Sequence, residues 1–203
     1  MLFFLLYFFG FKFKNDKILN MENRKIYILN KAYYLKNGDI KYFESSCRLL
    51  DSIKNDFKMK NIDIYQDDYP NYDIIKEDLE NKENTLLIVD ENDEVYAQIT
   101  STYDELNSIF NETEVAKILS FYNLPNIPYI GLSRLFVDNR IRSHGVATFL
   151  IKEMEEKYKG NTIIFFVHLV NSNALKLYEQ LGYKNLGSYN FIFGEYYTFI
   201  KSV

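Results

Sequence analysis

The sequence predicts a mixed α/β domain, with a mixed central sheet of about six or seven strands and helices on both faces. Three observations carry that expectation. Apolar residues Ile40, Phe43, Cys47, Leu50, Ile53 and Phe57 recur every three or four positions, the signature of one helical face. Residues 85–102 read as two β-prone runs around Glu91-Asn92-Asp93, a hairpin. Residues 129–181 alternate strand, helix, strand and helix, which calls for parallel pairing with helices packed on the sheet. The element order is therefore β-α-α-β-β-β-α-β-α-β-β.

Each element has a local reason. Residues 25–34 are apolar and β-prone and run to an Asn37-Gly38 turn signal, after which Asp39 can cap the first helix. A polar-aromatic loop spans 65–73, and Pro70 opens a second helix to about Lys82, with Ile74, Ile75 and Leu79 inward. The hairpin strands cover 85–89 and 94–102. Residues 103–126 are polar, with a helix expected near 112–121, and end at Pro125 and Pro128. A strand over 129–137 stops at Asp138-Asn139, and a helix follows with Val146, Phe149, Leu150, Met154 and Tyr158 on one face. Residues 162–167 form a buried type of strand, Asn171 begins a helix that Gly182 stops, and 183–187 and 190–200 close the fold as strands.

Composition narrows the function classes. The chain has 203 residues, 47% hydrophobic and 26% charged, enough for one well-buried domain. A net charge of −4 argues against a general nucleic-acid binder. Cys47 is the single cysteine, so no intrachain disulfide or thiolate cluster can form, and its place on a helical stripe makes it a small core residue. The two histidines, His144 and His168, form no His-Glu-x-x-His pattern, so no metal is expected. Neither a Gly-x-Gly-x-x-Gly loop nor a Gly-Lys-Ser/Thr loop is present. Residues 1–13, MLFFLLYFFGFKF, are apolar but shorter than the roughly 20 residues of a membrane span, and they lack the basic start and small cleavage site of a secretory signal. The preferred reading makes residues 1–20 an extension outside the fold and 21–203 the domain. A membrane-associating tail or a strand packed on the domain are the alternatives.

The stretch with chemistry is the turn Arg140-Ile141-Arg142-Ser143-His144-Gly145 between the 129–137 strand and the helix after it. The first N–H groups of a helix lack intrahelical partners and its dipole favours negative charge there. Arg142 and His144 add donors, and Gly145 leaves room for a phosphate to approach the backbone. The competing reading is a plain strand–helix connection with solvated basic residues.

Arg142-Ser143-His144-Gly145-Val146-Ala147 resembles the Arg/Gln-x-x-Gly-x-Gly/Ala signature of the GCN5-related N-acetyltransferases, the GNAT family. A second stretch, VHLVNSNALKLYEQLGY, is similar to the later motif of that family in Asn171, Ala174, Leu177, Tyr178, Gly182 and Tyr183. The element order is also that of the GNAT fold. The resemblance runs from about Arg24 to Ile200 and implies an N-acetyltransferase with acetyl-CoA as co-substrate. It implies that Leu135, Phe136 and Val137 lend backbone groups to the pantetheine arm and the acetyl carbonyl. Arg142, Ser143, His144, Gly145, Val146 and Ala147, with Thr148 in the same helical turn, would hold the pyrophosphate. Asn171, with Ala174 behind it, would bond the pantetheine, and Tyr178 would protonate the departing sulfur.

Such a transfer needs a neutral amine. At pH 7 deprotonation costs about 4.6 kcal/mol for a lysine-like amine of pKa near 10.4 and about 1 to 1.4 kcal/mol for an α-amine near 7.7–8.0. No base declares itself in the sequence. The 129–137 strand offers Ser133 and Arg134 and no acid before Asp138; the candidates for a base elsewhere are Asp67, Asp68, Asp104 and Glu105, each read in preference as a solvated loop carboxylate. The expected acceptor is a primary amine of a small or amino-acid-like molecule, in the cytoplasm, with a homodimer as one open oligomeric state. A protein or peptide amine, or a catalytically silent acyl-CoA-binding module, are the rival readings.

Overall fold

The computed structural model describes residues 24–62, 64, 68–191 and 194–203. The 1–20 segment and Asp67, both named above, lie outside the described residues. The strands are β1 Arg24–Ile28, β2 Lys31–Asn37, β3 Thr85–Val89, β4 Val95–Tyr103, β5 Ile130–Val137, β6 Thr162–His168, β7 Lys184–Phe191 and β8 Gly194–Ser202. The helices are α1 Phe43–Met59, α2 Tyr72–Glu80, α3 Glu105–Ile109, α4 Glu112–Tyr122, α5 Val146–Lys157 and α6 Ser172–Gln180. All eight strands join one sheet in the order β1-β2-β3-β4-β5-β6-β8-β7. Every pair is antiparallel except β5 and β6.

The sheet is thus wider than the six or seven strands expected. The extra strand comes from residues 24–37, which fold back on themselves at Leu29-Asn30 instead of forming one strand. Both turn residues have positive φ, 49° and 64°, the backbone that a tight hairpin needs. Leu-Asn is a poor textual signal for such a turn, so the apolar run hid it. Helix α2 also begins later than Pro70: Asn71 is its cap, its Oδ1 accepting from the Ile74 N–H at 3.1 Å. The short α3 was absent from the sequence reading, whereas the helix expected near 112–121 is α4.

Cores form on both faces of the sheet. Helices α5 and α6 cover one face, with Leu150, Ile151, Met154 and Tyr178 packed on Ile99, Ile130, Leu132, Phe165 and Phe199. On the other face α1 and α2 pack Leu50, Ile53, Ile75 and Leu79 onto Leu87, Val89 and Phe136. Further along that face α3 and α4 pack Leu106, Phe110, Ile118 and Leu119 onto Tyr129, Ile164 and Phe191. Cys47 is buried, and burial pushes its thiol up to about 11, which makes it an unreactive core residue. Among the described residues no helix is long and apolar enough to cross a membrane.

Candidate functional site

The two central strands part company. β5 and β6 pair only at Ile130↔Ile163 and Gly131↔Ile164, at their N-terminal ends. β5 carries a bulge: Ile99 of β4 stands alone between the pairs Gln98↔Phe136 and Thr100↔Ser133, opposite both Arg134 and Leu135. Arg134 adopts a left-handed backbone, φ 49°, which a branched or long side chain takes up only under constraint. The bulge bends β5 away from β6, so beyond Gly131 the facing edges of the two strands have no ladder partner. Backbone donors and acceptors on an unpaired edge can take up an extended ligand, as a missing strand would.

The basic turn stands at the open end of this slot. Asp138 is buried and caps the turn, its Oδ1 accepting from the Arg140 N–H at 2.8 Å while the Arg140 guanidinium pairs with both its oxygens. Ser143 and Gly145 both take left-handed backbone, φ 62° and 77°, and Gly145 is the residue before α5. No side chain caps α5, so its first N–H groups point outward from the turn. Val146 is buried beneath them, while His144, Ala147 and Thr148 are half-buried and Ser143 is exposed. Arg142 turns back instead of outward: its Nε donates to the Val137 carbonyl at 2.7 Å and its Nη1 is paired with Asp56 on α1. Arg142, followed by Lys60, holds the Asp56 carboxyl below its usual range. The arginine therefore ties the turn to β5 and to α1.

On the same face as α5, Leu135 and Val137 pack partly buried against the core, whereas Phe136 points to the α1–α2 side. Asn171 is the cap of α6, its Oδ1 accepting from the Ala174 N–H at 3.3 Å, which leaves the amide NH₂ as the group with donors to offer. Tyr178 is buried, its ring 4.4 Å from that of Phe165 and 5.7 Å from that of Phe199. The structure so brings the turn, the slot and α6 to one side of the sheet.

The opposite side holds groups that the sequence reading did not assign. Residues directly paired across two strands share a face, so Gly131 lies with Thr102 and Ser133 with Thr100. Thr100 bonds Thr85 at 3.2 Å, and Thr85 donates to the Asp78 carbonyl of α2 at 2.8 Å. The Asp78 carboxylate receives Arg134 Nε at 2.5 Å and Nη2 at 2.7 Å, a bidentate buried pair, and Arg134 Nη1 donates to the Tyr69 hydroxyl at 2.9 Å. Burial works against the guanidinium's charge, but the Asp78 carboxylate, followed by Tyr69, outweighs it and holds Arg134 above the usual arginine range. Ser133 Oγ is buried and has no hydrogen-bond partner. On β6, His168 falls on the same side as Ile164 and meets Tyr196 edge to face at 5.1 Å.

Glu105 overturns its reading as a solvated loop carboxylate. It opens α3 and is only 5% exposed. Its backbone N–H donates to the Tyr129 carbonyl at 2.8 Å, which pins α3 over the start of β5. Its carboxyl lies against Gly131, so close that a Cβ there would stand 2.0 Å from Oε2. Burial pushes that carboxyl up to about 7, against smaller opposing effects of a hydrogen bond with Thr102 and the charge of Arg134. Asp104 is half-buried and takes two bonds from the Asn107 amide, and Asp68 is exposed.

Comparison with known proteins agrees with this fold. The family model described as Acetyltransferase (GNAT) domain matches residues 53–193. No curated protein matches the sequence. Among solved structures, a GNAT-family acetyltransferase of Streptococcus agalactiae 2603 is similar with a TM-score of 0.67 at 16% identity, over 87% of this chain and 98% of that one. An N-acetyltransferase of Staphylococcus aureus Mu50 is similar at 0.56 and 18% identity, over 84% and 98%. The NatC complex bound to Gag peptide and CoA is similar at 0.57 and 19% identity, again over 84% and 98%.

Proposed function

Because the chain belongs to the GNAT acetyltransferase family, we propose that it moves an acetyl group from acetyl-CoA to a primary amine of a small or amino-acid-like acceptor. The observation that carries this reading is the uncapped start of α5 beside a slot whose two edges lack partners. A helix N-terminus suits a pyrophosphate, and the slot suits an extended arm of amides. In this reading the backbone from Ser143 to Thr148 holds the phosphates, with Gly145 and Ala147 leaving them room. Arg142 keeps the turn in place through Val137 and Asp56 and has its remaining N–H groups for the phosphate oxygens. The edge of β5 at Leu135, Phe136 and Val137 and the amide of Asn171 take the pantetheine arm.

The acetyl carbonyl then lies where the strands part. The amine attacks it directly, the C–N bond forms and the C–S bond breaks. A backbone N–H on the unpaired edge of β5 stabilises the oxyanion, a stabilisation that strengthens as negative charge develops. Tyr178 supplies the proton that the thiolate needs; its place on α6, on the cofactor side, supports that role. The reading carries a cytoplasmic location, where acetyl-CoA is supplied.

A steady-state screen of acetyl-CoA against small amines, amino acids and peptides tests the proposal. Turnover on small amines above peptides is expected. Turnover confined to peptide α-amines would move the acceptor to the protein class that the NatC likeness raises. Tight CoA binding with no turnover on the whole panel would leave an acyl-CoA-binding module.

A further inference from the structure

We infer that Glu105 is the general base of this site and that the acceptor amine enters from the α3 side, opposite the phosphate turn. The inference rests on the acetyltransferase reading above and adds the residue that the reading lacks. Three features of placement support it. Glu105 stands over Gly131, the last β5 residue paired with β6, and so at the point where the slot opens. Position 131 has no side chain, and the carboxyl fills the space where one would be. Beside it, Ser133 projects to the same side and has a buried hydroxyl with no partner, a group placed to bond an incoming nitrogen. Tyr178 and α5 lie on the other face of the sheet. Base and acid are thus divided between the two faces, with the thioester between them.

The step balances as follows. The carboxylate removes one proton from the incoming ammonium, and the freed lone pair forms the C–N bond at the acetyl carbon. The C–S bond breaks, and the CoA sulfur takes up the second nitrogen proton by way of Tyr178. Glu105 then gives its proton to solvent. A base does this best when its own affinity for protons matches the working pH. The groups around Glu105 set that affinity. Arg134 acts on it from β5 and Thr102 from β4, while His168 lies on the same side of the sheet further along β6, against Tyr196. Asp104 precedes it as the residue before α3 and is engaged by Asn107, and the Tyr129 hydroxyl turns away to the Pro125 carbonyl at 2.7 Å. Among these only Arg134 carries a charge that bears on it, and the pairing with Asp78 weakens that charge. The carboxyl therefore keeps its raised value of about 7.

Water can stand in for the unidentified amine, so the test measures slow hydrolysis of acetyl-CoA by the full chain, and amine transfer beside it, from pH 5.5 to 9. For the wild type, both rates should rise with pH through a limb centred near 7. Glu105→Gln should lower them about 10²- to 10⁴-fold, the range for a positioned base, and should lose that limb, while CoA affinity by calorimetry stays within about two-fold. Should Glu105→Gln fail to fold, Gly131→Ala serves, because its Cβ displaces an otherwise intact carboxyl and should give a similar loss. A normal rate in either folded variant, or an unchanged acid limb in Glu105→Gln, overturns the assignment and leaves the acetyltransferase reading intact. A wild-type protein that neither hydrolyses nor transfers the acetyl group would bring down both.

Discussion

A carboxyl whose proton affinity is raised by burial weighs on the fold at neutral pH. Glu105 holds its proton up to about pH 7 when folded, against an ordinary value of 4.5, so the folded chain binds that proton more tightly than the unfolded one. Stability therefore falls as pH rises from about 4.5 to about 7, and the whole cost is present above 7. At 1.36 kcal/mol per unit the ceiling is about 3 kcal/mol. Glu105→Gln should melt higher than the wild type at pH 8, and the gap should close towards pH 4.5, in thermal melts at matched ionic strength. A group kept at such expense is a mark of a functional site. For Tyr178 the two roles separate in the same way. As an acid to sulfur, Tyr178→Phe should lower kcat by about 10- to 10⁴-fold with little change in CoA affinity. The drop should shrink at high pH, where a thiolate of cysteine-like pKa near 8.5 needs the proton less. As a core hydroxyl alone it would cost about 1 kcal/mol of stability and leave turnover near normal. Rate and melting temperature on one sample decide between them.

At the scale of elements, the strand–turn–helix unit proposed to hold the phosphates was legible because it is contiguous: strand, basic turn, glycine and helix follow one another in the text from 129 to 158. The grouping on the opposite face was not, because Asp78, Glu105, Gly131 and Ser133 come from three separated segments and meet through the β4–β5 register and the contacts of Asp78 with Thr85 and Arg134. Helix α3 spans five residues, too few for a periodic pattern, and so its glutamate looked like part of a loop. The bulge at Arg134 has no textual sign either, since an arginine is a poor guess for left-handed backbone. Two substitutions examine the turn as a unit. Gly145→Glu puts a carboxylate where the proposed reading seats the phosphate and a side chain at φ 77°, so CoA binding should vanish in calorimetry while the fold loses only about 1 kcal/mol. Asp56→Ala removes the α1 partner of Arg142 and should weaken CoA binding several-fold. Combined with Arg142→Ala it should add little, because the two residues act through one contact.

For the whole molecule, the described sheet starts at Arg24 with an edge strand, and β1 already pairs along its full length with β2. A chain beginning at Met21 should therefore keep both its melting temperature and its CoA affinity. A fall of several degrees would show that the preceding residues belong to the core or to a contact between copies. The other end of the sheet is built differently. β8 lies between β6 and β7, and it brings Phe199 under Tyr178 and Phe165 and Thr198 to the Tyr122 hydroxyl at 2.9 Å. Among the described residues β7 pairs with nothing but β8. On the ribosome, residues 194–202 emerge after every other strand of the sheet, so until they arrive β6 has an open edge and β7 is a strand with no neighbour. The nascent chain can assemble the first five strands early, yet helix α6 waits for its floor until the last strand slides into place between two that were made before it.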